Sequence, residues 1–341
     1  MIDETPKTNY DLDVAVSSRV RLARNFEGIP FTHILSGADK EKIIGITRKA
    51  IESSPESKRY AFIGFDRLSG LQMNAFAEQR VVSPDFIKSP PSRELIVNLD
   101  ESVYIMVNEE DHLRIQSMTE GFSVDRAYTA ASAADAIIES RCSYAFDAEL
   151  GYLTRCPTNL GTGMRVSVML HLPSLVKTGA LRRIVSDLFK IGLTIRGLYG
   201  EGTEASGDLY QVSNQVTLGV SEEETIDKLK KVISRMIELE RSVRSEHIKN
   251  NSEKMIDSVM RSYGILMYAH MIDAAEFLSL YSDARLGVSA GMLQGIDLSV
   301  LDSMLVGAMP SSLALGSGGC EGVKCDILRA EYIKKKLTAN N

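Results

Sequence analysis

The chain has 341 residues, of which 44% are hydrophobic and 25% charged, and its formal net charge is −6 at pH 7. It is long enough for one large or two medium domains, and its charge balance gives no sign of a direct nucleic-acid partner. The N terminus lacks the features of a secretory signal, and no run approaches the ~18 apolar residues of a spanning helix, so we expect a cytoplasmic protein without a membrane partner.

Hydrophobic periodicity predicts a mixed first part and a helical second part. In chain order we expect a strand at 13–24, helices at 39–53 and 67–80, a hairpin over 94–108, a helix at 126–141, a strand from Val166, a helix at 174–192, strands around a glycine-rich loop at 193–218, and a helix at 222–248.

Beyond about residue 250 the strand signals vanish. Four helices are predicted there, at 252–268, 271–284, 297–309 and 325–337. We therefore expect a domain of residues 1–249 followed by a small all-helical domain of residues 250–341. Cys320 and Cys325 lie in this second part, and with no other Cys or His cluster nearby we expect two isolated thiols.

The first strand carries a basic pair. Arg19 and Arg21 lie two positions apart, so on a strand their side chains share a face. They repel each other unless an anion lies between them. Taken alone, the segment is explained more simply as a solvated basic edge that discourages strand pairing.

Three acidic residues follow the predicted hairpin. Glu109, Glu110 and Asp111 come directly after an apolar strand, with Arg114 shortly beyond. A solvated acidic turn is common. The strand before it would nevertheless hold these carboxylates on a rigid element, which favours a functional site.

The stretch 141–173 has the residue types of a site. Cys156 precedes a turn in which Gly161 and Gly163 lead to Arg165. We predict a strand, a thiol-bearing glycine-rich turn, an arginine and a second strand. A bulged hairpin with a buried, inert cysteine explains this stretch alone equally well.

The last glycine-rich loop joins glycine, arginine and glutamate. Arg196, Glu201 and Glu204 lie on it, a combination typical of a loop that closes on a charged ligand. A mobile surface hairpin is the alternative.

Taken together, the special loops supply five arginines, namely Arg19, Arg21, Arg114, Arg165 and Arg196. If they converge, they need a polyanion, and a nucleoside triphosphate with Mg²⁺ suits them. The glutamates and the cysteine suit a cationic second substrate. A guanidinium must be clamped by carboxylates and lose a proton before it can attack phosphorus, and a thiolate nearby would localise its charge.

Four segments in order resemble the ATP:guanido phosphotransferases, the creatine and arginine kinases. They are SSRVRLARN (17–25), VNEEDHLR (107–114), CPTNLGTGMR (156–165) and RGLYGEGTE (196–204), and the similarity covers roughly 13–245. The resemblance implies an α+β fold, with an antiparallel, glutamine-synthetase-like sheet flanked by helices and followed here by the helical domain. It implies ATP and Mg²⁺ and no protein metal site.

The resemblance also implies roles for individual residues. Glu110 and Glu201 would clamp the guanidinium, with Cys156 as the thiol of the site. ATP would be bound by residues of four segments and by Arg80, which stands where a nucleotide-contacting histidine is expected: Ser17, Ser18, Arg19, Val20, Arg21, Arg114, Arg165, Val166, Ser167, Val168, Met169, Arg196, Gly197, Leu198, Tyr199, Gly200 and Glu201.

Two departures from the small-molecule kinases resemble the bacterial protein-arginine kinases of the same family. Only 16 residues precede Ser17, where those kinases have a helical domain that closes over a small substrate, and a helical domain follows the kinase motifs. The resemblance implies phosphorylation of arginine in proteins, dimerisation and docking through the helical domain, and a part in protein quality control and stress response with Clp-type proteases and a stress-gene repressor as partners.

The segment CDILRA (325–330) corresponds to a phosphoarginine-reading motif of that group. Asp326 and Arg329 match it, whereas Cys325 stands where arginine is expected. Two other functions share the motifs. The chain is alternatively a kinase for a free guanidino metabolite, or a non-catalytic adaptor that binds phosphoarginine.

Overall fold

The computed structural model describes residues 10–98, 100, 103–198 and 205–339. Within them an eight-stranded antiparallel sheet has the order β2-β3-β4-β5-β1-β8-β10-β9, and β6 pairs with β7 in a separate hairpin. The strands are β1 Ala15–Arg24, β2 Tyr60–Gly64, β3 Glu94–Asn98, β4 Val103–Val107, β5 Leu113–Glu120, β6 Phe146–Asp147, β7 Gly151–Tyr152, β8 Met164–His171, β9 Leu193–Gly197 and β10 Leu209–Asn214.

The helices flank this sheet and make up all of the regular structure beyond β10 in the described residues. They are α1 Gly37–Glu52, α2 Gly70–Glu78, α3 Pro84–Ile87, α4 Val124–Glu139, α5 Pro173–Lys177, α6 Leu181–Lys190, α7 Glu222–Tyr268, α8 Ala274–Ser289, α9 Leu298–Gly307, α10 Pro310–Ser317 and α11 Val323–Thr338. This is the α+β class expected from the sequence.

Alternation along the central strands divides the sheet into two faces. On one face Val20 and Leu22 of β1 and Val166 and Val168 of β8 are buried and form the main core with α4 and the first half of α7. The residues between them point to the other face. That second face carries most of the polar side chains discussed below.

Helix starts follow local sequence signals. Ser36 and Asp39 form a capping box at the start of α1, and Ser221 and Glu224 form another at the start of α7. Such boxes satisfy backbone N–H groups that lack partners within the helix. Three glutamates in the first turn of α7 also suit the positive end of the helix dipole.

Two helix predictions need correction. The segment 174–192 is two helices, because Gly179 adopts φ 72° between α5 and α6. The predicted helices 222–248 and 252–268 are present as the two parts of α7, which is interrupted at the non-helical Asn251 (φ −140°, ψ 32°). The predicted domain boundary at residue 249 lies beside this break. The short helix α10, which begins with Pro310, is missing from the prediction.

The C-terminal helices share buried contacts with the sheet. Their core includes Met169 and Leu209, which lie on the strands β8 and β10. Arg285 is fully buried on α8, and it donates to the backbone oxygen of Leu12 at 2.7 Å and pairs with Asp302 at 2.9 Å. Because a buried charge is costly unless it is paired, these bonds tie the helical part to the start of the chain.

Among the helices of the described ranges, no single one has the length and apolar character to cross a membrane. The bent pair Leu298–Gly307 and Pro310–Ser317 meets those criteria only when both members are taken together.

Candidate active site

One face of the central sheet is lined with guanidinium groups. Arg19 and Arg21 alternate with core residues along β1, and Arg165 on β8 lies directly opposite Arg21. The registers of β5 and β9 place Arg114 and Arg196 on the same face. The alternation of strand residues therefore gathers on one surface the five arginines singled out in the sequence.

A cavity of about 1010 Å³ lies over this face, and a smaller one of about 160 Å³ adjoins it. Arg21, Glu110 and Cys156 line both cavities. The acidic turn (residues 109–111) and the thiol loop (residues 153–163) therefore meet here the sheet face that carries the five arginines, which we call the arginine face. The other residues that line the larger cavity are Arg19, Ser83, Pro84, Asp85, Arg93, Glu109, Arg114, Arg155, Pro157, Arg165, Arg196, Gly197, Leu198, Gln211 and Ser213.

The arginines of this face are only partly satisfied by the protein. Nη2 of Arg19 donates to Oε1 of Gln211 at 3.0 Å, and Nη2 of Arg165 donates to Oγ of Ser213 at 3.1 Å. The buried Nε atoms of Arg21 and Arg165 have no hydrogen-bond partner among the described residues. Buried polar groups are usually bonded, so these unpaired atoms show that the protein satisfies the arginines only in part.

The lowered pKa values of two of these arginines indicate that this face suits an anionic ligand. Burial, together with the charges of Arg80, Arg114 and Arg165, lowers the pKa of Arg19 to about 9. Burial and the neighbouring Arg19 lower the pKa of Arg21 well below its usual value. Both effects disfavour the charged forms, so the folded chain holds these groups at a cost in free energy. An anion with several charges would remove that cost.

Two further arginines line the cavity and were not predicted. Arg93 donates through Nε to the backbone oxygen of Asn108 at 2.9 Å. This bond holds the residue that precedes the acidic turn. Arg155 is exposed and precedes Cys156, and that adjacency is the one signal by which the sequence could have indicated it.

Arg80 lies near this face without lining the cavity. Its φ is 59°, and its Nη1 contacts the sulfur of Met169 at 3.0 Å. Its charge is one cause of the lowered pKa of Arg19. The structure thus places Arg80 at the edge of the arginine face.

Within the acidic turn, Glu109 is bonded inside the protein. Its carboxylate accepts from Nη1 of Arg114 at 2.9 and 3.0 Å, from Oγ of Ser83 at 2.6 Å and from the backbone N–H of Glu110 at 2.8 Å. Burial alone would raise the pKa of Glu109, but Arg114 and these hydrogen bonds outweigh it and lower the pKa. Glu109 therefore orients Arg114 and the turn.

The substitution Glu109→Gln is expected to lower the free energy of unfolding by about 2 kcal/mol at pH 7, because Arg114 loses its charged partner. A carboxyl whose folded pKa is depressed stabilises the protein above its unfolded pKa of ~4.5, and that contribution is lost as pH falls through the folded value. The difference between the two proteins should therefore shrink below pH ~4.5. Urea unfolding at several pH values measures it, and a difference that grows in acid would contradict this role.

Glu110 differs from its neighbour. Its carboxylate has no hydrogen bond or ion pair with any residue in the described part of the chain, and it lines both cavities. Its backbone is fixed instead, because its carbonyl oxygen accepts from Thr32 Oγ1 at 2.5 Å and its N–H donates to Glu109. The backbone of Glu110 is therefore held in place, and its carboxylate remains available to a cationic ligand.

The rest of the turn is anchored by Asn25. Its side chain donates to Asp111 at 2.7 Å and accepts from the backbone N–H of His112 at 2.9 Å. The ring of His112 donates through Nε2 to the carbonyl oxygen of Pro30 at 2.7 Å and accepts at Nδ1 from the N–H of Phe26 at 3.0 Å. Burial lowers the pKa of His112, which keeps the ring neutral and this pattern of bonds intact.

The thiol loop forms the opposite wall of the cavities. Cys156 is half-buried, and its Sγ lies 3.0 Å from the hydroxyl of Thr158. The predicted order of strand, thiol-bearing turn, arginine and strand is present, although Arg165 lies within the second strand. The alternative bulged hairpin is not formed, because β7 has two residues and pairs with β6, whereas β8 pairs with β1 and β10.

Gly161 fixes the loop against a neighbouring segment. Its φ is 98°, and a Cβ atom at this position would lie 2.1 Å from the backbone oxygen of Thr217. The substitution Gly161→Ala is therefore expected to cost about 3 kcal/mol of unfolding free energy and to lower turnover as the thiol loop shifts. Thermal unfolding and a kinase assay would measure both. The control is Gly45→Ala on α1, where a Cβ atom meets nothing within 4 Å. Equal stability of the two variants would contradict the argument.

The other predicted nucleotide residues divide between the two sheet faces. Gly197 and Leu198 line the cavity, and Ser17, Ser167 and Met169 belong to the arginine face beside it. The side chains of Ser18, Val20, Val166 and Val168 lie on the core face, so only their backbone is near the site. Tyr199, Gly200, Glu201 and Glu204 lie outside the described residues.

The two predicted phosphoarginine-docking residues lie in the helical part, where Arg329 is buried. Its Nε donates to the carbonyl oxygen of Ala308 at 2.8 Å, and its Nη1 donates to that of Ile272 and to Asp326, both at 2.7 Å. In this conformation it joins three helix ends of the helical part.

The expectation of two isolated thiols near the C terminus is wrong, because Cys320 and Cys325 form a disulfide. Gly322, with φ 52°, turns the chain at the start of α11 and brings their Cα atoms to 5.1 Å. The prediction was wrong because it rested on the absence of a Cys or His cluster, which bears on metal sites and not on a bridge between two cysteines.

Comparison with family sequence models gives two matches that together cover most of the chain. Residues 42–243 match "ATP:guanido phosphotransferase, C-terminal catalytic domain". Residues 252–341 match "Protein-arginine kinase McsB C-terminal domain".

Curated relatives resemble the chain over nearly its whole length. A protein-arginine kinase of Caldanaerobacter subterraneus subsp. tengcongensis is 41% identical over 96% of this chain and 98% of its own. One of Desulforamulus reducens is 40% identical over 97% of this chain and 94% of its own.

Solved structures are similar over about 70% of this chain. The duplicated taurocyamine kinase of Schistosoma mansoni, with bound transition-state-analogue components, matches with TM-score 0.63 and 26% identity over 71% of this chain. The chain spans 37% of that kinase's length. A lombricine kinase matches with TM-score 0.59 and 25% identity, covering 69% of this chain and 68% of the other.

Proposed function

The chain belongs to the ATP:guanido phosphotransferase family, and on that premise we propose that it is an ATP-dependent protein-arginine kinase. The observation that carries the proposal is the pairing of two opposite surfaces in one cavity. A set of partly unsatisfied arginines faces the carboxylate of Glu110, which has no partner among the described residues and whose backbone is held by Thr32 and Glu109. The first surface suits a triphosphate, and the second suits a guanidinium.

In the proposed reaction ATP lies on the arginine face. Arg19, Arg21 and Arg165 neutralise the charge of the phosphate oxygens. Arg114 and Arg196, on the same face, contribute further positive charge. Mg²⁺ enters with ATP, because this ion commonly binds through substrate phosphates and retained waters, and it supplies further charge neutralisation. Positioning and charge neutralisation are the main requirements of phosphoryl transfer.

The target guanidinium lies between Glu110 and the thiol loop, with Glu201 as its proposed second carboxylate. One of these glutamates accepts the proton that the attacking nitrogen loses. A P–N bond forms as the bond from the γ-phosphorus to the bridging oxygen breaks, and ADP leaves. Cys156, beside Thr158, localises the positive charge on the far side of the guanidinium.

We infer that the acceptor is arginine in a protein, because the relatives that are similar over nearly their whole length are named protein-arginine kinases. From the same resemblance we propose a cytoplasmic homodimer that acts in protein quality control and stress response, with a Clp-type protease and a repressor among its partners. The helical part is the proposed site of dimerisation and docking, with Asp326 and Arg329 as candidate phosphoarginine contacts.

The test is incubation with ATP, Mg²⁺ and an unfolded, arginine-rich protein. We expect acid-labile phosphate on arginine, identified by mass spectrometry under conditions that preserve P–N bonds. Phosphate confined to serine, threonine or tyrosine would overturn the proposal. Rapid turnover of free arginine with no transfer to protein would instead select the metabolite kinase.

A further inference from the structure

An exposed group of apolar side chains borders the thiol loop. Phe146 and Leu150 of the β6–β7 hairpin are 61% and 42% exposed, and Val216 and Leu218 are 47% and 46% exposed. We call these four residues the apolar rim. Exposed large apolar side chains are common singly, but a contiguous group marks a binding surface.

The rim is attached directly to the loop that carries the thiol. Thr217 is buried between Val216 and Leu218, and its hydroxyl donates to the backbone oxygens of Thr158 at 3.0 Å and Leu160 at 2.6 Å. Val216 and Leu218, on either side of the buried Thr217, are exposed. Half of the rim is thus fixed to the wall of the guanidinium subsite.

The other half is fixed to the same loop at Gly161. The backbone N–H of Gly161 donates to the carbonyl oxygen of Leu150, and its own carbonyl oxygen accepts from the N–H of Tyr152, each at 2.8 Å. Phe146 packs edge-on against Tyr152, with 5.3 Å between the ring centroids. Both halves of the rim are therefore attached to the loop that carries Cys156, one at Gly161 and the other through Thr217.

The charges around the rim suit a cationic chain. The exposed carboxylates of Asp147 and Glu149 lie between Phe146 and Leu150 in the hairpin. A polypeptide that brings an arginine to Glu110 would meet the same sign of charge along this approach.

We propose that the apolar rim docks an extended segment of the substrate protein, one that carries aliphatic or aromatic residues beside the target arginine. The inference rests on the proposed function and adds the chemistry of the sequence around the arginine. Apolar side chains on the substrate would pack on Val216, Leu218, Phe146 and Leu150 while the guanidinium reaches the carboxylate of Glu110.

The size of the surface favours a peptide segment over a second copy of the chain. Four partly exposed side chains present an area on the order of a few hundred Å². A stable subunit interface buries ~800 Å² on each partner. An extended segment needs only a few anchoring side chains next to a specific polar contact.

The experiment compares two synthetic peptides, each with a single arginine and the same net charge. One has leucine and phenylalanine on both sides of the arginine, and the other has glycine and serine. The variant is Val216→Ser with Leu218→Ser. The control is Phe189→Ser, which removes an exposed apolar side chain on α6, outside both the apolar rim and the helical part. Phosphate transfer and binding of the fluorescently labelled peptides are both measured.

We expect the unaltered protein to favour the apolar peptide by ~10-fold or more in kcat/KM, the scale of one or two buried side chains. The rim variant should lose that preference by a similar factor, while its KM for ATP and its turnover of the polar peptide stay unchanged. The control variant should keep the preference.

Equal turnover of the two peptides by the unaltered protein would overturn the docking proposal, as would an equal loss on both peptides in the rim variant. A change in oligomeric state of the rim variant, seen by light scattering, would overturn it in favour of a subunit interface. If neither peptide is phosphorylated but the apolar one still binds through the rim, the proposed function fails and the docking surface stands.

Discussion

The substitution Glu110→Gln is expected to lower turnover of an arginine-bearing protein by ~10²-fold or more and to leave folding intact. A carboxylate that positions an attacking group or takes its proton contributes on this scale. Folding should be unaffected because the Glu110 carboxylate has no hydrogen bond or ion pair with any described residue, while its backbone bonds to Thr32 and Glu109 are kept. The KM for ATP should also stay near its original value, since the arginine face is unchanged.

Steady-state kinetics and thermal unfolding of the same preparation test this expectation. The matched control is Glu120→Gln, an exposed glutamate at the end of β5, which should alter neither measurement. A Glu110→Gln protein with full turnover would remove Glu110 from the proposed mechanism. A Glu110→Gln protein whose melting temperature is several degrees lower would show that the carboxylate has a structural partner.

The arginine face was predictable because strand alternation is local. The spacing of Arg19 and Arg21 in the sequence places both on one face, whatever the neighbouring strands do. That Arg165 would stand directly opposite Arg21 was not predictable, because it depends on the register between β1 and β8. Register is set by long-range packing and not by either strand alone.

The different roles of Glu109 and Glu110 in the acidic turn could not be predicted from the sequence either. Glu109 and Glu110 are chemically identical neighbours, and only the folded chain brings Arg114 and Ser83 to the first and leaves the second unpaired. The disulfide and the apolar rim were missed for a related reason. Cys320 meets Cys325 through a glycine turn, and Val216 joins the thiol loop through bonds of its neighbour Thr217.

These arginines oppose folding in the absence of ligand. Like charges directly across a strand pair destabilise it, and desolvation adds to the cost when the groups are buried. A base whose pKa is lowered by folding destabilises the folded state at every pH below its folded pKa. By this sign, the lowered pKa of Arg21 means that at neutral pH the free protein is less stable than it would be without that charge.

The substitution Arg21→Met should therefore move stability and activity in opposite directions. We expect the ligand-free protein to gain about 1 kcal/mol of unfolding free energy, because a buried repulsion with Arg165 and Arg19 is removed. We expect kcat/KM for ATP to fall by ~10³-fold, the scale of an arginine that stabilises a transferring phosphoryl group. The gain in unfolding free energy on addition of ATP should fall together with kcat/KM. A ligand that binds only the folded state stabilises the protein more the more tightly it binds.

Unfolding curves with and without a nucleotide analogue, together with kinetics, distinguish this account from a general loss of structure. Arg126→Met is the matched control, because Arg126 is exposed on α4 and has no bond to the described residues, so neither stability nor activity should change. A less stable Arg21→Met protein would mean that Arg21 is satisfied in the free enzyme. The arginine face would then be a structural feature, and the triphosphate site would have to lie elsewhere in the cavity.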